Sequence, residues 1–489
     1  MCISDGYFRK TKKGFIGELL FVLLWLVVSL YGGIEKASAA TYYVTQNGSG
    51  SRNGLKYEDS MSVSNHNSGT WTKDDVFYLC DVITSTISPP TSGETGHPII
   101  YRGDYPGHPG TVDGGGLLTY GLYPKVGVNY LVIDSLEIKN CLTVGVLLRA
   151  TSSASTEALQ VTINNCNIHD ILAGNGIDGR GVGLTVTNST IYNIWYDGIY
   201  HVGANTTISG CYIHDVDQTT GTPGGDCIQL GDMVGGWIHR NILDHSSKAT
   251  KHCFIGTNTA KIIGKPLIFE RNICTQGVAV EGINSRIISA EDITNGQIVR
   301  YNKLYGGKHS ITPLGNAHIY SNIMSGASDY AISVQSNSPA GTIIDIYNNT
   351  MHKSHGGITF PTNNYIIDIK NNIMHTVTKA IYQTGVSATI NLDINYNIFF
   401  NTESIYVYNY CTGGENNVIA DPLFISSSDY RIQSTSPAIN AGIDVGLMSD
   451  YVGSPIIGLP DIGAYEYQSS TSYHPSVPCG LKVLAHENI

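Results

Sequence analysis

Short β-forming runs, each closed by a polar residue and restarted by an apolar one, recur along most of this 489-residue chain. They read VTINNCNIHD, GWIHRNILDH, LIFERNICTQ, QIVRYNKLYG, AHIYSNIMSG, IIDIYNNTMHK, IIDIKNNIMHT and LDINYNIFFN. Eight of them place asparagine in one column: Asn167, Asn241, Asn272, Asn302, Asn322, Asn349, Asn372 and Asn397. Glu137, Thr190 and Tyr212 fill that column elsewhere, and successive members lie 20 to 31 residues apart. A period of variable length fits a solenoid of stacked coils whose insertions fall in the turns. The pattern therefore predicts an all-β, parallel solenoid of about eleven coils over residues 116–415, with strands about 4.8 Å from those of the next coil. Asparagine stacked at a turn can satisfy backbone groups of its neighbours, so this column reads as structural.

A second column follows the first by several residues. It has the form polar, small, large apolar: NGI (175–177), DGI (197–199), DCI (226–228), HCF (252–254), EGI (281–283) and HSI (309–311), continuing to ESI (403–405). The third position belongs to the core. The first is expected to face solvent at the strand's leading edge if the small residue turns a corner; strict alternation would point it inward. Read down the stack, it presents Asp197, Asp226, His252, Glu281 and His309 on five consecutive coils. Arg180, Tyr200, Asn284, Arg286 and Lys308 lie beside them.

These residue types suit the cleavage of a glycan. Carboxylates on neighbouring rungs repel, which raises one pKa and sets an acid beside a base. Histidine moves protons near neutral pH, and arginine neutralises a uronate carboxylate. Asp226, His252, Glu281, Arg286 and His309 are the candidate catalytic residues, with Asp197, Arg180, Tyr200, Asn284 and Lys308 as candidate substrate ligands. Solvated turns of any solenoid also collect Asp, Asn and His, so a structural reading stands beside this one. No spacing demands a metal or other cofactor; calcium is the ion that several carboxylates would admit.

The ends differ from the middle. Residues 40–115 lack the repeat and are expected to form an N-terminal cap and first strands, with a short helix between Ser60 and Lys73. DPLF (421–424), SPAINAG (436–442) and DIGAYEY (461–467) mark a C-terminal closing segment, 416–467, followed by a flexible tail, 468–489. Residues 1–39 read as a signal peptide: Arg9, Lys10, Lys12 and Lys13, then an apolar run from Phe15 to Leu30, then Ala37-Ser38-Ala39. That run is shorter than the roughly 20 residues of a spanning helix, which favours cleavage and secretion over a retained anchor. The formal charge is −11 overall and −13 without the leader, with no basic run, which argues against nucleic acid as a partner. A polysaccharide partner and a monomer fit better. Nine cysteines follow the leader without a C-x-x-C, and Cys227 and Cys253, on adjacent coils, are expected as stacked free thiols.

YYVTQNGSGSRNG near the start, SGETGHPIIYRGD (92–104) and the closing SPAINAG and DIGAYEY resemble secreted bacterial right-handed parallel β-helix proteins of the pectate-lyase-like superfamily. The resemblance implies a right-handed helix. It leaves activity open, because the superfamily holds lyases, hydrolases and epimerases. GGDCIQLG (224–231) is similar to the polygalacturonase strand that carries an Asp-Asp pair, with Gly225 in place of the first Asp and Asp226 as the second. His309 would then match that family's cleft histidine, although its Asn-Thr-Asp motif is absent. EGINSR (281–286) resembles the chondroitinase B and alginate lyase segment in which a metal-binding Glu precedes a catalytic Lys by five residues. Arg286 stands in the lysine's place, and TPLGN (312–316) lacks that family's Arg-His. The expectation is a secreted enzyme acting on a uronate-containing glycan, a lyase ahead of a hydrolase. The alternative is a non-catalytic cell-surface β-helix that binds glycans or adheres.

Overall fold

The computed structural model describes residues 39–150, 157–218, 224–247, 251–258, 263–277, 285–361, 364–384, 391–407, 414 and 416–468. Residues 1–38 of the expected leader, residues 469–489 of the expected tail, Glu281 and Asn284 lie outside them. Among the described residues the strands form three parallel sheets of 15, 14 and 12 strands, here called I, II and III. One coil runs Ile177–Arg180 in sheet III, Val182–Thr187 in sheet I and Thr190–Ile194 in sheet II, then returns to sheet III at Ile199–Val202. The result is a right-handed parallel β-helix of about eleven turns. Each strand sends alternate residues inward. Ile177, Ile199, Ile228, Phe254, Ile288, Ile311, Ile332, Ile358 and Ile381 pair rung to rung and are all fully buried.

Strands join the stack from Thr41–Thr45 onward, which pairs with Val76–Leu79. A short α-helix, Val63–Ser68, falls within the expected window; Ser62 caps it, and it buries Val63 and His66. The closing segment adds one short strand, Val418–Ile419, to the end of sheet II, and the chain after it folds back along that sheet. Ile432, Ala438 and Ile462 cover Ile373 and Ile398, while Tyr430, Ala464 and Tyr465 cover Ile323. This explains why those outward positions are apolar in the last coils.

The asparagine ladder differs from its sequence reading by one residue in the early coils. Asn241 accepts a hydrogen bond at Oδ1 from the Cys211 amide, and Asn272, Asn302, Asn322, Asn349, Asn372, Asn397 and Asn417 repeat the contact at 2.9–3.1 Å. Asn167 is not a member. It pairs with Thr190, and Tyr212 pairs with Ile242, so Cys166, Ser189 and Cys211 hold the ladder position there. A strand shows one outward polar residue beside the turn position, and composition alone does not say which of the two is which. Cys227 and Cys253 are buried free thiols, as are the other five described cysteines.

Candidate active site

The second column has a different orientation from the one expected. Its small middle residue sits against the next coil's backbone: a Cβ on Gly176 would lie 2.6 Å from the Gly198 carbonyl, and one on Gly198 2.6 Å from that of Cys227. The preceding side chain then turns along the stack instead of out to solvent. Asn175 Oδ1 accepts from the Asp197 amide at 3.1 Å, Asp197 Oδ1 from the Asp226 amide at 2.7 Å, and Asp226 Oδ1 from the His252 amide at 2.8 Å. Asp197 is 1 % and Asp226 4 % exposed, so the carboxylates placed on an open face are in fact buried backbone caps. The column opens only at its third ionisable member.

His252 is that member. Its Nδ1 lies 3.0 Å from Asp226 Oδ1, a geometry in which the ring donates to the carboxylate. Nε2 is left without a protein partner among the described residues. The next rung is also corrected. Ile288, not Ile283, pairs with Phe254 and Ile311, so Arg286 occupies the position assigned to Glu281. In the last coil Ser404 pairs with Lys379, displacing the ESI reading by one residue. His252, Arg286 and His309 are therefore direct neighbours across three strands.

Arg286 donates from Nη1 to Ser289 Oγ at 3.0 Å and lies 3.4 Å from Glu291 Oε1, which Gln335 also approaches at 3.3 Å. Ser289, Glu291 and Gln335 carry no repeat signature; they are outward residues of sheet III and the turn beyond it, recognisable only once Arg286 is placed. Burial lowers the His309 pKa to about 4, against the opposing pull of Asp329, whose Oδ2 is 3.8 Å from Nε2. The Tyr330 amide donates to His309 Nδ1 at 3.4 Å, which leaves the ring proton on Nε2. Arg286 and His309 line an open depression of about 260 Å³ with Ser333, Gln335, Asn337 and Thr359.

Of the other sequence candidates, Tyr200 projects outward from sheet III, in register with Asp178 and Gln229. Arg180 lies beside Arg149, whose Nη1 donates to Asp178 at 2.8 Å. Lys308 precedes His309 and helps to depress its pKa. Among the described residues no three His, Cys, Asp or Glu side chains converge to hold a metal ion.

Burial, reinforced by Asp226, raises the Asp197 pKa well above the ordinary carboxylate value. Its contribution to stability is therefore present at acid pH and lost as pH rises through the folded-state value. Asp197→Asn keeps the oxygen that caps Asp226 and removes the titration. We expect its urea midpoint to match that of the wild type in acid and to exceed it at higher pH; parallel curves would show that Asp197 is ionised in the fold.

Residues 126–275 match the family model described as a right handed beta helix region. No curated protein sequence is significantly similar to the chain. Among solved structures it is similar to the PL6 family alginate lyase AlyGC, at 13% identity and a TM-score of 0.51, over 78% of this chain and 55% of that one. Pectate lyase Pel9A gives 17% identity and a TM-score of 0.42, over 90% and 98% of the two chains. XylC in complex with xylose gives 10% and 0.49, over 88% and 98%. Among the described residues no helix is long and apolar enough to cross a membrane. The family-model match and the likeness to AlyGC speak for architecture alone, and that architecture is the right-handed parallel β-helix.

Proposed function

We propose that this protein is a secreted polysaccharide lyase that cleaves a uronate-containing glycan on sheet III. The observation that carries the reading is the in-register trio His252, Arg286 and His309, with Asp226 behind the first histidine. Arg286 binds the substrate carboxylate and draws electron density from the adjacent carbon. His252, held by Asp226 with Nε2 outward, takes the proton α to that carboxylate. The electron pair forms the ring double bond, the bond to the leaving glycosidic oxygen breaks, and water returns a proton to that oxygen. His309, kept neutral by burial, donates its Nε2 hydrogen bond to the bound sugar. A hydrolase is less well supported, because Asp197 and Asp226 are committed to backbone amides and do not form an open acid and base pair.

Incubation of the full chain with polyuronates and neutral polysaccharides tests the proposal. An ultraviolet-absorbing unsaturated product from a polyuronate is expected. New reducing ends without that absorbance would make the protein a hydrolase, and binding without turnover would make it a non-catalytic binder.

A further inference from the structure

Trp237 lies on sheet I, in the same coil as Asp226 but one sheet further round, and remains 42 % exposed. Its ring is held firmly for so open a residue. Nε1 donates to Glu270 Oε1 at 2.9 Å, and one indole face stacks on His239, with centroids 3.8 Å apart and planes 18° from parallel. Glu270 is fixed in turn by Arg300 Nε at 2.6 Å. His239 lies two residues onward along the strand, so the other indole face looks back toward the strand's start. Gly235 and Gly236 precede the tryptophan there and supply no side chain to cover it. At Gly235 a Cβ would come within 3.0 Å of Asn205 Oδ1 and 3.5 Å of Lys265 Cβ, and its φ is +67°. The space kept clear is a pocket of about 320 Å³ bounded by Trp237, Asn205, Thr207, Lys265, Pro266 and Ile268. That volume falls within the range of ligand sites, roughly 300–1,000 Å³.

We propose that this pocket is a second saccharide-binding site, in which a pyranose ring lays its apolar C–H face on the free face of Trp237. The ligand class follows from the lining. A clamped aromatic plane costs little ordering entropy on binding and offers a flat apolar contact. Around it stand an amide, a hydroxyl and an ammonium, which match sugar hydroxyls or a uronate carboxylate. The site belongs to sheet I, whereas the His252 and Arg286 cluster belongs to sheet III, so it requires no particular chemistry at the latter. On a polymer it would hold the chain close to the coils that carry Asp226 and His252.

The test uses the full chain with cellohexaose and, separately, hexagalacturonate, followed by tryptophan fluorescence and calorimetry. Saturable quenching by at least one hexasaccharide is expected in the wild type. Trp237→Ala should raise the calorimetric Kd by at least about tenfold with an unchanged Tm. His252→Ala should bind at this site as the wild type does, even if it loses turnover, so the second site can stand or fall independently of the lyase reading. No binding of either sugar, or equal binding by Trp237→Ala, would overturn the proposal. So would self-association that is lost in Trp237→Ala without any sugar binding, since the pocket would then seat a second copy of the chain.

Discussion

His252→Ala and Arg286→Ala should each reduce turnover of a cognate polyuronate by about a hundredfold or more, while leaving the Tm within a few degrees of the wild type. The two losses have different origins. Without the imidazole no group on that rung accepts the α proton. Without the guanidinium the carboxylate keeps its charge and the developing carbanion is not stabilised. Asp226→Asn discriminates further: an amide oxygen can still cap the His252 backbone, but an amide does not hold the ring as its positive charge forms. It should lower kcat with little change in KM. Arg286→Lys retains the charge but loses the planar donor fork, and should recover only part of the activity. Full turnover in both alanine variants would place the catalytic centre elsewhere on the helix. Unfolding of both would show that the trio is structural.

The second large effect concerns stability. Asn349→Ala should cost about 2–5 kcal/mol in urea denaturation, because several buried groups lose partners together. Asn349 Oδ1 accepts from the amide and the Nδ2 of Asn322, and its own Nδ2 donates to the carbonyls of Ile319 and Tyr347, all at 2.9–3.0 Å. Asn167→Ala is the matched control. Asn167 belongs to the column by sequence but lies one residue beyond the ladder position and makes no ladder contact, so its loss should stay within about 0.5 kcal/mol. Equal costs at the two positions would refute the one-residue correction to the ladder.

Much of the architecture was legible before any coordinates. Strand alternation and a polar turn residue recurring every 20 to 31 positions are local consequences of stacking one coil on the next, and each coil must repeat them. The ladder from Asn241 to Asn397 follows from that pattern, as does the buried apolar column from Ile177 to Ile381 at every rung but the one held by Ile288. The site was legible in part. His252, Arg286 and His309 were all named from the sequence, and they do lie on consecutive rungs.

What sequence could not decide was direction and register at the corners. Whether a side chain two positions before a core isoleucine faces water or turns along the stack depends on how closely the next coil's carbonyl approaches its glycine neighbour. That distance is a property of two coils together, and it turned Asp197 from an open acid into a buried cap; Asp226, which precedes Cys227 rather than a glycine, is drawn along the stack in the same way by the His252 amide of the next coil. Register at the Arg286 rung had the same character. EGI and RII each offer an isoleucine two positions after a charge, and only pairing with Phe254 and Ile311 chooses Ile288. The Trp237 pocket was invisible in sequence for a related reason. Its indole is held by Glu270 from the following coil and left uncovered by Gly235, a juxtaposition made by stacking and absent from any single repeat. Local periodicity thus determined the helix, while contacts between coils determined which residues meet solvent and one another.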